Sequence, residues 1–195
     1  MIIPVLIIAA VIGLDQISKY IVAANMQVGE SFNLVKYILN IRYTENEGAS
    51  FGILRDNRWI FMILSVIAII LMCAAILYLR RKNIRKNNFL ISVALSLMLG
   101  GGIGNMIDRI FRSSAVEIGK KVVVDFLEFA FVNFAIFNVA DSFICIGSVL
   151  FCICIVTGKY SIFEKPDKIN DAGEIGEINE ETGETEEINS DGAEH

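Results

Sequence analysis

Hydrophobic positions in this chain fall in long unbroken runs, not in the alternating pattern of a soluble domain. The first run begins at Ile2, continues through Leu14, meets Asp15 and Lys19, and ends near Ala24. The second, Trp59–Leu79, contains no charged residue, and neither does the third, Phe89–Ile107. The fourth, Phe134–Val156, contains one charge, Asp141. At a rise of about 1.5 Å per residue, each run makes a helix suited to crossing roughly 30 Å of hydrocarbon. The segments between the runs read differently. Ser31–Tyr43 and Val122–Leu127 are rich in β-branched and aromatic residues, which predicts strands. The expected fold is an all-α polytopic membrane protein, with four transmembrane helices and a small extracytoplasmic β element.

Charge supplies the orientation. Arg80–Lys86 carries five basic side chains in seven residues, so the link between the second and third spans is expected in the cytoplasm. Both termini then also face the cytoplasm, and segments 25–58 and 108–133 lie outside. Trp59, Tyr78 and Tyr160 fall near span ends, where amphipathic rings prefer the interface. The first run has no basic residue before it, and Asp15 and Lys19 follow where a signal peptide would have small cleavage-site residues. It is therefore read as a retained helix.

Composition changes this picture only at the C-terminus. Residues 164–195 hold 12 of the 22 acidic side chains and 2 of the 17 basic ones. The net charge of −5 describes that tail, since the preceding residues carry ten acidic and fifteen basic groups. Low in aromatics and high in charge, the tail is expected to be disordered. The chain thus divides into a membrane domain, 1–160, and an acidic cytoplasmic tail, 161–195. The basic residues form no stripe with interleaved aromatics, so nucleic acid is not an expected partner.

The available chemistry is narrow. The one histidine, His195, is the last residue, which removes Ser-His and Cys-His mechanisms. Cys73, Cys145, Cys152 and Cys154 lie inside apolar runs and read as small apolar filler. No metal site and no cofactor are expected.

Attention therefore falls on polar groups in or beside the spans. Asp141 lies near the outer end of the fourth, with Asn138 on the same helical face. The plain alternative is a packing pair or a helix cap. Gly100–Arg109 combines small residues with Asn105, Asp108 and Arg109 at i, i+3 and i+4. Its plain alternative is a packing seam with a locally paired Asp108 and Arg109. Asp125 interrupts the run Val122-Val-Val-Asp-Phe. Taken alone it reads as an outward-facing strand residue. Asp15 and Lys19, at i and i+4, read as an internal ion pair. Asn46–Phe51 by itself means only a tight loop. Two aspartates at one membrane face can nevertheless share a proton and activate a water between them, which is sufficient for amide hydrolysis without histidine.

Five motifs together carry a resemblance. Asp15-Gln-Ile-Ser-Lys19, Asn46-Glu-Gly-Ala-Ser-Phe51, Gly101-Gly-Ile-Gly-Asn-Met-Ile-Asp-Arg109, Val123-Val-Asp-Phe126 and Phe137-Asn-Val-Ala-Asp141 occur in that order. In this respect residues 1–160 resemble the lipoprotein signal peptidases, or signal peptidase II, which are bacterial intramembrane aspartic proteases. The resemblance implies that Asp125 and Asp141 are the catalytic pair. It places Asn46, Asn105, Arg109 and Asn138 around the substrate, and leaves Asp15, Lys19 and Asp108 structural. It implies a diacylglyceryl-modified prolipoprotein as substrate, cut just before the lipid-bearing cysteine, with membrane lipid around it and globomycin as inhibitor. The expected location is the bacterial inner membrane, with the active site near the extracytoplasmic face. Three features depart from the family pattern: Ala135 stands where proline is frequent, the connector from Arg109 to Asp125 is long, and the acidic tail is an extension. An ion-coupled carrier is the main rival, but these polar groups crowd one membrane face and no inverted repeat is visible. A non-enzymatic scaffold built on glycine seams is the third reading.

Overall fold

The computed structural model describes residues 2–48, 58–81 and 89–157. The basic residues Lys82, Arg85 and Lys86, positions 49–51 of the Asn46–Phe51 motif, Tyr160 and the acidic tail lie outside the described residues. The element order is α1 (Ile2–Asn25), β1 (Ser31–Val35), β2 (Leu39–Asn46), α2 (Arg58–Arg81), α3 (Phe89–Phe111), β3 (Val123–Phe129) and α4 (Val139–Val156). Among the described residues all four helices are long and apolar enough to cross a membrane, and the strands form one small antiparallel sheet in the order β1-β2-β3.

Helix α3 is the hub, packed against each of the other three helices. Its small residues make this possible. A methyl group at Gly101 would meet the Ala140 carbonyl oxygen of α4, and one at Gly104 would lie 2.6 Å from Asp15 Oδ2 of α1. Glycine at these two places lets a neighbouring backbone or carboxylate reach the α3 surface. Farther along, Ile76 and Leu79 of α2, Ile91, Leu95 and Leu99 of α3, and Cys154 of α4 form a buried apolar cluster. Most of the remaining apolar surface, such as Ile63, Leu64, Ile70 and Leu71 on α2, is exposed, as a helix facing hydrocarbon requires.

A second cluster seats the sheet on the end of α1. It joins Val22 to Ile41 and Tyr43 of β2 and to Val124 and Phe126 of β3. The segment before α4 is stitched to β3: the Phe126 and Leu127 amides donate to the Phe137 carbonyl at 3.0 and 2.8 Å, and the Phe137 amide donates back to Leu127 at 3.0 Å. This stitching brings the start of α4 alongside Asp125.

Three boundaries differ from the sequence reading. The strand-like segment 31–43 lies in two strands, turned at Tyr37, which takes a left-handed conformation (φ 64°) with no glycine to announce it. Helix α3 runs on to Phe111, so Asn105, Asp108 and Arg109 are all helical. Helix α4 starts at Val139 rather than Phe134. Phe134 and Phe137 instead pack their rings on Phe129 of β3, so these apolar residues serve the sheet and not the span.

Candidate active site

The polar residues of α1, α3, β3 and the α4 N-terminus converge at one end of the helix bundle. At the back is Lys19, fully buried. Its ammonium donates to Asp15 Oδ2 at 2.9 Å and to Asn105 Oδ1 at 2.8 Å, and it pairs with Asp108 Oδ2 at 3.0 Å. Two of its protons are thereby donated, and its charge is paired with both carboxylates. Asp108 also accepts from Arg112 Nε at 2.9 Å. Two carboxylates and two cations make this buried group neutral, which is what permits it inside a membrane protein. The local Asp108–Arg109 pair that sequence spacing allowed is not formed: the partners of Asp108 are Lys19 and Arg112. Gln16 completes the group, donating to Asp15, to Asp108 and to the Gly104 carbonyl.

In front of this group stand two asparagines. Asn138 Nδ2 donates to Asn105 Oδ1 at 3.0 Å and to Asp125 Oδ1 at 2.7 Å. Asn105 Nδ2 donates to Asp141 Oδ1 at 2.7 Å. Because Lys19 occupies the Asn105 carbonyl oxygen, the Asn105 amino group is turned toward Asp141. Asn138 and Asp141 also cap α4 reciprocally. The Asp141 amide donates to Asn138 Oδ1 at 3.0 Å, and the Asn138 amide donates to Asp141 Oδ2 at 3.2 Å. The cap considered as the plain alternative for this pair is therefore real, and the same atoms also join the site. Asp15 adds a further acceptor at this helix end, taking the Ala140 amide at 3.0 Å.

Asp125 is 3% exposed, which overturns its reading as an outward-facing strand residue. Its Oδ2 accepts from Asn46 Nδ2 at 2.9 Å. Burial pushes its carboxyl up to about 7, opposed by the hydrogen bond from Asn46 and reinforced by the nearby Asp141 charge. Asp141, Arg109 and Asn46 are half-buried, at the accessible edge of the cluster. Among the described residues the only hydrogen bond of Arg109 is to the Asn105 carbonyl, at 3.3 Å. Its guanidinium interacts electrostatically with Asp141 and Asp125, and among the described residues its remaining N–H groups take no acceptor.

All nine residues singled out from the sequence thus lie in one connected cluster. Sequence reasoning missed Gln16 and Arg112. Arg112 was findable, since it stands at i+4 from Asp108, and Gln16 was one more polar residue inside an apolar run.

The arrangement is that of a membrane-embedded enzyme: four apolar helices carrying, at one end, two carboxylates bridged by side-chain amides and flanked by an available cation. The family profile for signal peptidase (SPase) II matches residues 7–157. A lipoprotein signal peptidase of Bacillus pumilus (strain SAFR-032) is 40% identical over 142 residues, 72% of this chain and 83% of its own length. One from Brevibacillus brevis (strain 47 / JCM 6285 / NBRC 100599) is 39% identical, over 73% and 87%. Two solved structures of a bacterial membrane enzyme, obtained by the in meso method, superpose with TM-scores of 0.66 and 0.64 at 34% and 35% identity. They cover 83% and 78% of this chain, and 92% of each solved chain is matched. The chain belongs to the signal peptidase II family and is a multi-pass membrane protease of lipoprotein processing.

Proposed function

We propose that the chain is an aspartic endopeptidase that removes the signal peptide from diacylglyceryl-modified bacterial prolipoproteins. The cut falls before the lipid-bearing cysteine and uses Asp125, Asp141 and a water. The observation that carries this reading is the amide bridge, Asp125–Asn138–Asn105–Asp141, which holds two carboxylates in one hydrogen-bonded unit. A packing pair has no need of two carboxylates joined in this way.

The chemistry follows from the two environments. Asp125, buried and with its carboxyl raised to about 7, holds the shared proton near neutrality. Asp141, at the more open edge and in the first turn of α4, is the partner that serves as the base. The ionised carboxylate takes a proton from water as the water oxygen attacks the scissile carbonyl. The free N–H groups of Arg109 stabilise the oxyanion. The proton held by the pair then passes to the leaving nitrogen, which becomes the free amino group of the lipid-modified cysteine. Asn46 and Asn138 keep Asp125 aimed, and Asn105 keeps Asp141 aimed.

By this reading residues 1–160 are the peptidase domain and 161–195 a cytoplasmic tail. The chain lies in the cytoplasmic membrane with both termini inside and the site at the outer face, among lipids, and globomycin is an inhibitor that competes for the site. The direct test is a gel-shift assay with purified protein and a diacylglyceryl-modified prolipoprotein, alongside the unmodified precursor. Cleavage of the modified form alone is expected, and failure to cut it would overturn the reading.

The same assay gives a pH test. As pH rises through about 7, Asp125 loses its proton and the pair holds two charges, so kcat/KM should show a descending limb there. The sign for stability is the same. The native carboxyl is raised above the ordinary 3.8, so its contribution to folding is fully present below that value and is lost as pH rises through about 7. An activity profile flat from pH 6 to pH 9 would contradict the assignment of the proton.

A further inference from the structure

Asn46 is the only ligand of Asp125 Oδ2 among the described residues, and the strand that carries it is held from outside the site. The connector 112–122, between α3 and β3, folds back on itself through the Ser113–Lys121 bridge. It makes its contacts on the residues immediately before and after Asn46. Glu45 Oε2 accepts from the Ser114 hydroxyl at 2.5 Å, and Glu45 Oε1 accepts from the Ala115 amide at 2.8 Å and the Tyr43 hydroxyl at 3.1 Å. Glu47 is paired with Lys120 at 2.9 Å. Side chains alternate along a strand, so Glu45 reaches the connector while Asn46 is directed to Asp125. The amide end of Asn46 is fixed as well, because its Oδ1 accepts from the Gly48 amide at 3.0 Å. Within the connector, Ser114 Oγ in turn accepts from the Val116 and Glu117 amides at 3.0 and 2.9 Å, so the hydroxyl that grips Glu45 is held by its own turn.

We propose that Glu45 is a positioning residue: through Ser114 and Ala115 it fastens the end of β2 to the connector and so keeps Asn46 on Asp125. This rests on the reading of Asp125 as one of the catalytic pair. Burial pushes the Tyr43 hydroxyl up to about 12, with the Glu45 charge adding to it, so Tyr43 stays a donor across the working pH range. Three donors on one carboxylate make a firm anchor. Releasing it leaves the strand end to the β3 ladder and the Glu47–Lys120 pair alone, and the looser Asn46 weakens its hydrogen bond to Asp125 Oδ2. A carboxylate deprived of such a bond holds its proton to higher pH.

The test compares Glu45→Ala, Glu45→Gln, Ser114→Ala and Asp125→Asn in the purified full chain, measuring kcat, KM and the pH profile of kcat/KM. Glu45→Ala should lower kcat about tenfold with KM within about twofold, and move the descending limb to higher pH. Ser114→Ala should move both in the same direction by about a third as much, and it decides the matter if Glu45→Ala fails to fold. Glu45→Gln keeps one of the two acceptor oxygens, so its limb should fall between those of the parent and Glu45→Ala. A limb that stays put in both Glu45→Ala and Ser114→Ala would overturn the proposal, even if melting temperatures fall. The two readings fail separately. An active Asp125→Asn variant defeats the catalytic assignment, whereas an inactive one with an unmoved limb in the other variants defeats only the role of Glu45.

Discussion

Asp125→Asn and Asp141→Asn are each expected to reduce cleavage by at least about three orders of magnitude, because either change removes one member of a proton-sharing pair. Folding should survive. At 125 the new amide oxygen still accepts from Asn46 or Asn138, the two donors that the carboxylate engages now. At 141 it still accepts the Asn138 amide that completes the helix cap. Initial rates with a lipid-modified precursor, read beside a melting curve in detergent, separate the two effects. More than a few per cent of parental activity in either variant would remove that aspartate from the catalytic pair.

The second large effect concerns stability. Asp15→Ala leaves Lys19 fully buried with one of its two carboxylates gone, and leaves the Ala140 amide without its acceptor. Breaking one side of a buried ion pair costs about 3–5 kcal/mol, enough to lower yield and melting temperature sharply. Turnover per folded molecule should fall much less, because Asp108 and Asn105 still hold the ammonium. Asp15→Asn keeps one acceptor oxygen, enough for Lys19 or for the Ala140 amide but not for both, and should fall between the parent and Asp15→Ala. An Asp15→Ala variant as stable as the parent but inactive would show that Asp15 belongs to the chemistry and not to the frame.

The helices were legible because hydrocarbon thickness imposes a length and a composition, and those leave a plain trace in residues 2–24, 59–79 and 89–107. The start of α4 was not, because Phe134 and Phe137 are as apolar as a span residue but stack on Phe129. Asp125 shows the limit most clearly. In Val-Val-Val-Asp-Phe a strand can turn either face inward. What decides it is the pairing of Asp125 with Thr44 across a register shift in β2 and β3, a partner far away in sequence. The connector was legible only as a length. Its grip on Glu45 and Glu47 joins residues about seventy positions apart, and no local spacing announces it. Polar residues inside apolar runs were the most informative, since a membrane penalises each one that has no partner.

The reciprocal cap on α4 gives Asp141 two duties at once. The carboxylate proposed above as one of the catalytic pair is also the fastener of the helix end, receiving the Asn138 amide. A fastener of this kind grips harder when charged, since a carboxylate is the better acceptor and suits the positive end of a helix. On the mechanism proposed above, a proton arriving on Asp141 would weaken the hydrogen bond from the Asn138 amide, so the first turn of α4 is where the chemistry and the helix end meet.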